Sequence, residues 1–415
     1  WVAECSRWRP DLRPRALYGM RGFAWPEPGE LVVANYEILP EVTTAPGNVV
    51  VVADEAHALK TPRAQRTKAF RAIAHRVTAA EGRVWLLTGT PMLNRPEELY
   101  HVLEAADLAT VAFGPMDSYR RLFDAREVMQ EIHRKVPQAV GPRRGEVLVG
   151  PSRDPGMVVV KRSVRQVEWS SPRAEVPERL QRVMLRRLRE KVLPELPRKL
   201  VRYLHVDLTA EVRGACDRIV EALGATGRDL RQVALTIADL ARIEDEVPSI
   251  ATARKQLATA KLERVLALVA EYEANEEPLV VFSAHRDPIE QLGQREGWAA
   301  ILGGVESQDR AELVRRFQAG ELRGIALTIG AGGVGITLTR AAHALFIDLA
   351  WTPALNEQAE DRLARIGQTR GVLITHVVGN HVLEERVYEA LASKSELVAV
   401  SVDLAVAQGS AGGGA

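Results

Sequence analysis

Only two cysteines, Cys5 and Cys216, occur in the 415 residues. They form no metal-ligand cluster and point to a reducing, intracellular compartment. Long apolar runs are missing as well. Stretches such as Val49–Ala53 are far too short to span a bilayer, so no membrane partner is expected. The opening Trp1-Val-Ala-Glu-Cys-Ser-Arg-Trp is polar and has no apolar core of a signal peptide. It also lacks an initiator Met, so the start reads as a truncation. Net charge is almost nil, at +1, and announces no polyanion partner. Finally, no Gly-Lys dipeptide occurs anywhere. That excludes a Gly-x-x-x-x-Gly-Lys-Ser/Thr loop, whose backbone amides would cradle phosphates while its lysine reached them.

Hydrophobic residues make up 46% and charged residues 26%, ordinary values for a globular chain. The length is too great for one ordinary core and suits two α/β domains with insertions. Short apolar runs at Leu31–Ala34, Val49–Ala53, Val84–Leu87, Leu279–Phe282, Ile325–Ile329, Ala344–Ile347 and Val372–Val378 read as buried parallel strands. Helix-like stretches separate them; Ala311, Val314 and Phe317 give one such stretch an apolar face. The fold class expected is therefore α/β with helix-covered parallel sheets. A first lobe is placed at 1–112, an irregular and helical insertion and linker at 113–200, and a second lobe at 201–407 with a helical insertion at about 210–262. The Gly/Ala/Ser-rich tail 408–415 is expected to be disordered. Between Arg182 and Arg202 eight basic residues face two acidic ones. This suits either a solvated linker helix or a phosphate-facing patch.

The strand Val49–Ala53 ends in Asp54 and Glu55. Parallel sheets place ligands at that carboxyl edge. Phosphoryl transfer needs one carboxylate to hold Mg²⁺ and a second polar group to orient water, and Asp54 and Glu55 suit those two roles. The same pair also suits a plain helix N-terminus. A second strand ends in Thr88-Gly89-Thr90-Pro91. Further on, Arg362 and Arg365 are three apart and are expected on one helix face, where two guanidinium groups could clamp phosphate oxygens or make surface ion pairs. His57 has no His or Cys at ligand spacing and reads as a hydrogen-bonded cleft histidine. Gly330-x-Gly332-x-x-Gly335 matches a dinucleotide fingerprint, but Ile-Thr-Leu-Thr follows it rather than a helix start, and Asp348 comes too soon. The glycines instead let the backbone turn tightly beside DNA or nucleotide.

Taken together these strings resemble the Swi/Snf-like ATPases of helicase superfamily two. Asp54-Glu-Ala-His57 with Leu59–Pro62 resembles motif II, and Leu87–Pro91 with Asn94–Leu99 motif III. Trp1–Pro10 and Ala34–Glu37 resemble motifs Ia and Ib, and Val183–Lys199 the stretch leading into the second lobe. Val280–Ser283, Gly330–Thr339 and Gln358–Gln368 resemble motifs IV, V and VI, with Trp351-Thr-Pro353 just ahead of the last. Ile301–Arg310 and the motif V region are similar to the annealing-helicase branch. The likeness covers nearly the whole chain and is weakest across 125–168.

The resemblance implies two RecA-like lobes that use ATP and Mg²⁺ to move along double-stranded DNA, mainly through backbone contacts. It implies nucleotide contacts by Asp54, Glu55, His57, Gly333, Gly335, Gln358, Arg362 and Arg365, the arginines acting as fingers. It implies coupling through Thr88, Gly89 and Thr90. DNA contacts fall to Ser283, Thr337, Thr339, Arg186 and Arg187. The family carries its phosphate loop upstream of motif Ia, so truncation accounts for the missing Gly-Lys, and the chain as it stands is expected to be inactive. The alternative is a DNA-binding or scaffold module without ATPase activity.

Overall fold

The computed structural model describes the chain except residues 20–22, 94, 144–145, 153–155, 226–249, 333–334 and 403–415. The expected tail 408–415, Gly333 and the middle of the expected insertion 210–262 thus lie outside the described residues. The chain divides into two compact units. One is Trp1–Arg126 with Val167–Leu185 and the stretch from Leu397; the other is Glu127–Gln166 with Arg186–Glu396. Among the described residues no helix is long and apolar enough to cross a membrane.

In the first unit, β1 (Arg13–Ala16) pairs in parallel with β2 (Glu30–Val33), and β3 (Val50–Ala53) with β4 (Arg83–Leu86). The helix Gln65–Ala79 lies between β3 and β4 in sequence and buries Phe70, Ile73, Ala74 and Val77. That spacing is one apolar helical stripe. It packs on Ala53, Val51, Val84 and Leu86, the inward face of the β3–β4 pair. Gly82 makes the return from helix to strand possible: a Cβ there would sit 2.5 Å from Val77 Cγ1 and 2.6 Å from the Val49 carbonyl. A second core gathers Leu99, Tyr100, Phe113, Tyr119 and Phe123 with Val176 and Leu180. Tyr119 is fully buried and donates its hydroxyl to the Pro96 carbonyl at 2.7 Å. This is how Val167–Leu185 rejoins the first unit.

Residues 126–168 hold a three-stranded sheet of β5 (Arg126–Pro137), β6 (Val147–Pro151) and β7 (Met157–Glu168), in the order β5-β7-β6. The sequence reading places an irregular and helical insertion here; in the sheet Val136, Val158 and Val160 form a buried cluster, while Arg162 and Arg165 are exposed.

The second unit is built on a six-stranded, all-parallel sheet. Its strands are β8 (Lys199–Val206), β9 (Leu279–Ser283), β10 (Trp298–Ile301), β11 (Gly324–Thr328), β12 (His343–Phe346) and β13 (Val372–Gly379), ordered β10-β11-β9-β12-β13-β8. Strand residues alternate between two cores. Val280, Phe282, Ile325 and Leu327 face one; Leu279, Val281 and Ala326 face the other with the helix Leu262–Ala274. A sheet covered on both faces needs continuous apolar strands, and β9 and β11 are buried throughout. Between β8 and β9 the described residues form the helices Ala210–Ala225, Ile250–Ala260 and Leu262–Ala274. The architecture is α/β.

Candidate active-site residues in the two units

In the first unit the carboxyl edge of β3 presents Asp54 and Glu55, both exposed. Glu55 sits in the left-handed region (φ 48°) ahead of a short helical turn, Ala56–Leu59. This turn is tied to β4: Leu87 N–H donates to Ala53 O and Ala56 N–H to Leu87 O, each at 2.8 Å. His57 bridges two of the predicted groups. Its Nδ1 lies 3.2 Å from Glu55 Oε2 and 3.3 Å from Thr88 Oγ1. Thr88 Oγ1 in turn accepts the Thr90 N–H at 3.1 Å, and Gly89 between them is exposed. Asp54, Glu55, His57, Thr88, Gly89 and Thr90 therefore lie at one strand edge.

Groups the motif strings did not single out hold this edge. The Tyr36 hydroxyl donates to the Asp54 carbonyl at 2.8 Å. Burial, then the carboxylates of Asp54 and Glu55, push its phenol well above the ordinary value, so it keeps its proton. Trp1 Nε1 donates to Asp54 Oδ2 at 3.0 Å. Glu98 accepts from Lys60 Nζ at 2.9 Å and from the Leu93 N–H at 3.0 Å. It thereby links the Leu-Lys-Thr-Pro string to the loop after Thr90. Only their membership of those strings marked Lys60 and Glu98 in the sequence.

In the second unit Arg362 and Arg365 are not on a helix as expected. The helix Pro353–Glu360 ends just before them. Arg362 N–H and Leu363 N–H still bond back to Ala359 O and Glu360 O at 3.1 Å, and the turn is tied as well to the segment 336–341. Leu338 N–H donates to Arg362 O at 2.9 Å, and Gln368 Nε2 donates to Thr339 O at 3.1 Å and Ala341 O at 2.8 Å. Arg362 is buried, and Arg365 donates to Ile336 O at 3.0 Å and Thr337 Oγ1 at 3.2 Å. Thr339 Oγ1 accepts from Gln318 at 3.2 Å. Gln358 lies on the helix itself, half-buried. Ile329–Gly332 makes a single helical turn and Gly335 is left-handed (φ 58°). The structure thus brings Arg362 and Arg365 against Thr337 and Thr339.

Ser283 is elsewhere. It is fully buried at the end of β9, donating to Asp348 Oδ1 at 2.5 Å. Asp348 also accepts the Ala284 N–H at 3.1 Å, and its Oδ2 lies 3.2 Å from His285 Nε2. Burial pulls the His285 imidazole below its ordinary value despite that carboxylate. Arg186 and Arg187 are exposed, whereas two other linker cations are engaged. Arg189 donates to Asp361 Oδ2 at 2.6 Å and to the Ala364 carbonyl at 3.2 Å. Lys199 lies 2.8 Å from Glu360 Oε2 and 3.3 Å from Asp361 Oδ1. Burial alone would lower the Lys199 ammonium; Glu360 and Asp361 more than offset it and hold its pKa above the ordinary value. Burial likewise opposes ionisation of Glu360, but His376 and Lys199 hold its carboxyl below the usual range.

A strand-edge carboxylate pair stands in one α/β unit and an arginine pair in the other. Residues 1–222 match the SNF2-related domain and residues 260–367 the helicase conserved C-terminal domain. The chain belongs to the SNF2-related family. Among curated relatives it is 27% identical to the DNA annealing helicase and endonuclease ZRANB3 of Mus musculus, over 96% of this chain and 35% of that protein. It is 24% identical to the putative ATP-dependent helicase/translocase YwqA of Bacillus subtilis, over 96% of this chain and 41% of that one. The chain spans little more than a third of the length of these relatives. A solved structure, the Sulfolobus solfataricus SWI2/SNF2 ATPase core in complex with dsDNA, aligns with 97% of this chain and 81% of its own at 19% identity and a TM-score of 0.39.

Proposed function

We propose that this chain is the ATP-hydrolysing motor portion of an intracellular translocase that acts on double-stranded DNA in remodelling or repair. Residues 1–112 and 201–407 serve as its two lobes and 113–200 as insertion and linker. The observation that carries this reading is the His57 bridge. One imidazole joins the carboxylate suited to water activation, Glu55, to the Thr88–Thr90 turn. A solvated helix start would have no need of it.

Asp54 and Glu55 suit Mg²⁺, because carboxylate oxygens are its preferred donors and it retains several waters instead of demanding a protein cage. Among the described residues no group of three or more His, Cys, Asp or Glu could hold a metal, which that coordination habit accommodates. Mg²⁺ bound at Asp54 would neutralise charge on the phosphate oxygens. Glu55 orients the attacking water and accepts its proton, and His57 reports the state of Glu55 to Thr88. Arg362 and Arg365 stabilise charge on the departing phosphoryl group, with Gln358, Gly333 and Gly335 as nucleotide contacts. Arg186, Arg187, Thr337 and Thr339 serve the DNA track, chiefly on phosphates; Ser283, expected among them, is fully buried with its hydroxyl on Asp348 and cannot reach a phosphate.

Residues 1–415 contain no Gly-Lys dipeptide, so this stretch by itself grips a triphosphate poorly, and isolated 1–415 should show no turnover. That observation also favours the second reading, a DNA-binding scaffold without ATPase activity. In the full-length protein, Glu55→Gln should abolish DNA-stimulated ATP turnover while nucleotide binding survives. Full turnover by the Gln variant would remove Glu55 from the mechanism.

A further inference from the structure

The basic stretch before β8 divides into two kinds of cation. Arg186 and Arg187 are exposed. Arg189 and Lys199 are held against carboxylates of a distant segment, about 160–170 positions along, which is the one that precedes Arg362. Lys199 opens β8 and is registered opposite Val372 of β13, so its backbone is anchored in the sheet. Arg189 reaches past Asp361 to the carbonyl of Ala364, which lies between Arg362 and Arg365.

This arrangement answers two physical needs of the arginine turn. The helix stops at Glu360, and past it the turn keeps only short-range bonds, Arg362 N–H to Ala359 O and Leu363 N–H to Glu360 O at 3.1 Å, to which ties from two sides are added. On one side the segment 336–341 supplies Leu338 N–H and the carbonyls that Gln368 ties down. On the other side Arg189 and Lys199 do. The second need is electrostatic. Glu360 and Asp361 are chain neighbours of Arg362 and the nearest anions a loosened arginine would find. Arg189 and Lys199 neutralise both carboxylates. Arg365 accordingly rests on neutral oxygens, Ile336 O and Thr337 Oγ1.

From this geometry we infer that Arg189 and Lys199 are positioning residues for Arg362 and Arg365: by clamping Glu360 and Asp361 they set the arginine turn, and they take no part in gripping DNA. The inference rests on the reading of Arg362 and Arg365 as the pair that stabilises phosphoryl transfer. A misplacement of about an ångström costs roughly a hundredfold in rate. Removing a phosphate-binding cation from the DNA track instead weakens DNA binding and lowers its salt slope by about one unit.

The test uses full-length protein and compares Arg189→Ala, Lys199→Met and Lys199→Arg with Arg362→Ala. ATP turnover is measured at saturating DNA, with the KM for ATP, the DNA affinity at several salt concentrations, and hydrogen exchange over 358–368. Arg189→Ala and Lys199→Met should lower kcat about ten- to hundredfold. DNA affinity and salt slope should stay as in the natural protein, and amides of 361–365 should exchange faster. Lys199→Arg, which keeps the charge, should recover most of the turnover; this separates positioning from a general loss of folding. Unchanged kcat and exchange in Arg189→Ala and Lys199→Met, while Arg362→Ala is crippled, would overturn the inference alone. So would a loss of DNA affinity with a shallower salt slope, which would return both cations to the DNA track. Normal turnover in Arg362→Ala is the distinct result that sinks the functional reading itself, and this inference with it.

Discussion

Lys261 has no exposed surface. Its ammonium is paired with Glu384 and donates to the Val377 carbonyl at 2.8 Å, and Glu384 in turn accepts the Gly379 N–H at 2.6 Å. A buried ion pair adds little compared with apolar packing, but removing one partner strands the other. Lys261→Met should therefore destabilise the second unit by about 3–5 kcal/mol. Adding Glu384→Gln should return part of that, since the amide oxygen still accepts from Gly379 without a stranded charge. Urea unfolding of the three proteins measures both quantities; equal losses in the single and double variants would mean the pairing is not what the site supplies. The sequence marks Lys261 as one more helical lysine. The partner 123 positions away is visible only after folding. Asp54 and Glu55 are different: their place follows from where an apolar run stops.

The helix Pro353–Glu360 shows what an element's end can be made to do. The spacing of Arg362 and Arg365 predicts a continuing helix, and local propensity offers no reason for it to end. Beyond it the carbonyls of Arg362, Leu363 and Ala364 accept from Leu338 N–H, Gln368 and Arg189. The ionic part of these ties depends on pH. Glu360 faces Lys199 and His376, with Asp361, Glu357 and Arg189 close by, and its folded pKa lies below the ordinary 4.5. In the window between those two values the unfolded chain binds more protons than the folded one, so stability rises with pH there. The contribution is complete above the ordinary carboxylate value and is lost as pH falls through the depressed one. Unfolding free energies between neutral pH and pH of about 3 should fall more steeply for the natural protein than for Glu360→Gln. Parallel curves would mean that Glu360 is not held by Lys199 and His376. The strands β5 and β7 illustrate the opposite problem. Exposed charges such as Arg162 and Arg165 interrupt the alternation that would have announced them; among the described residues Val136, Val158 and Val160 are buried.

For the whole molecule the charge distribution matters more than its sum. A net charge of +1 conceals the basic stretch before β8, in which Arg186 and Arg187 are exposed while Arg189, also exposed, is paired with Asp361. Replacing Arg186 and Arg187 together by Ala should lower the slope of log affinity for duplex DNA against log salt by about two units, at about 0.9 per phosphate neutralised, whatever the DNA sequence. A slope that does not move would place the phosphate-binding role on other residues. The sequence alone determined the α/β class, the family, and the strand edge where Asp54 and Glu55 stand. All three follow from short-range information: where apolar runs begin and end, and which polar residues directly follow them. The division of labour among the basic residues, the burial of Ser283 beneath Asp348, the end of the helix at Glu360 and the partners of Lys261 were decided only by the tertiary structure. Each depends on a charge or hydrogen-bonding group meeting a partner tens to hundreds of positions away, and that pairing is set by the strand order of a parallel sheet, which no local pattern encodes.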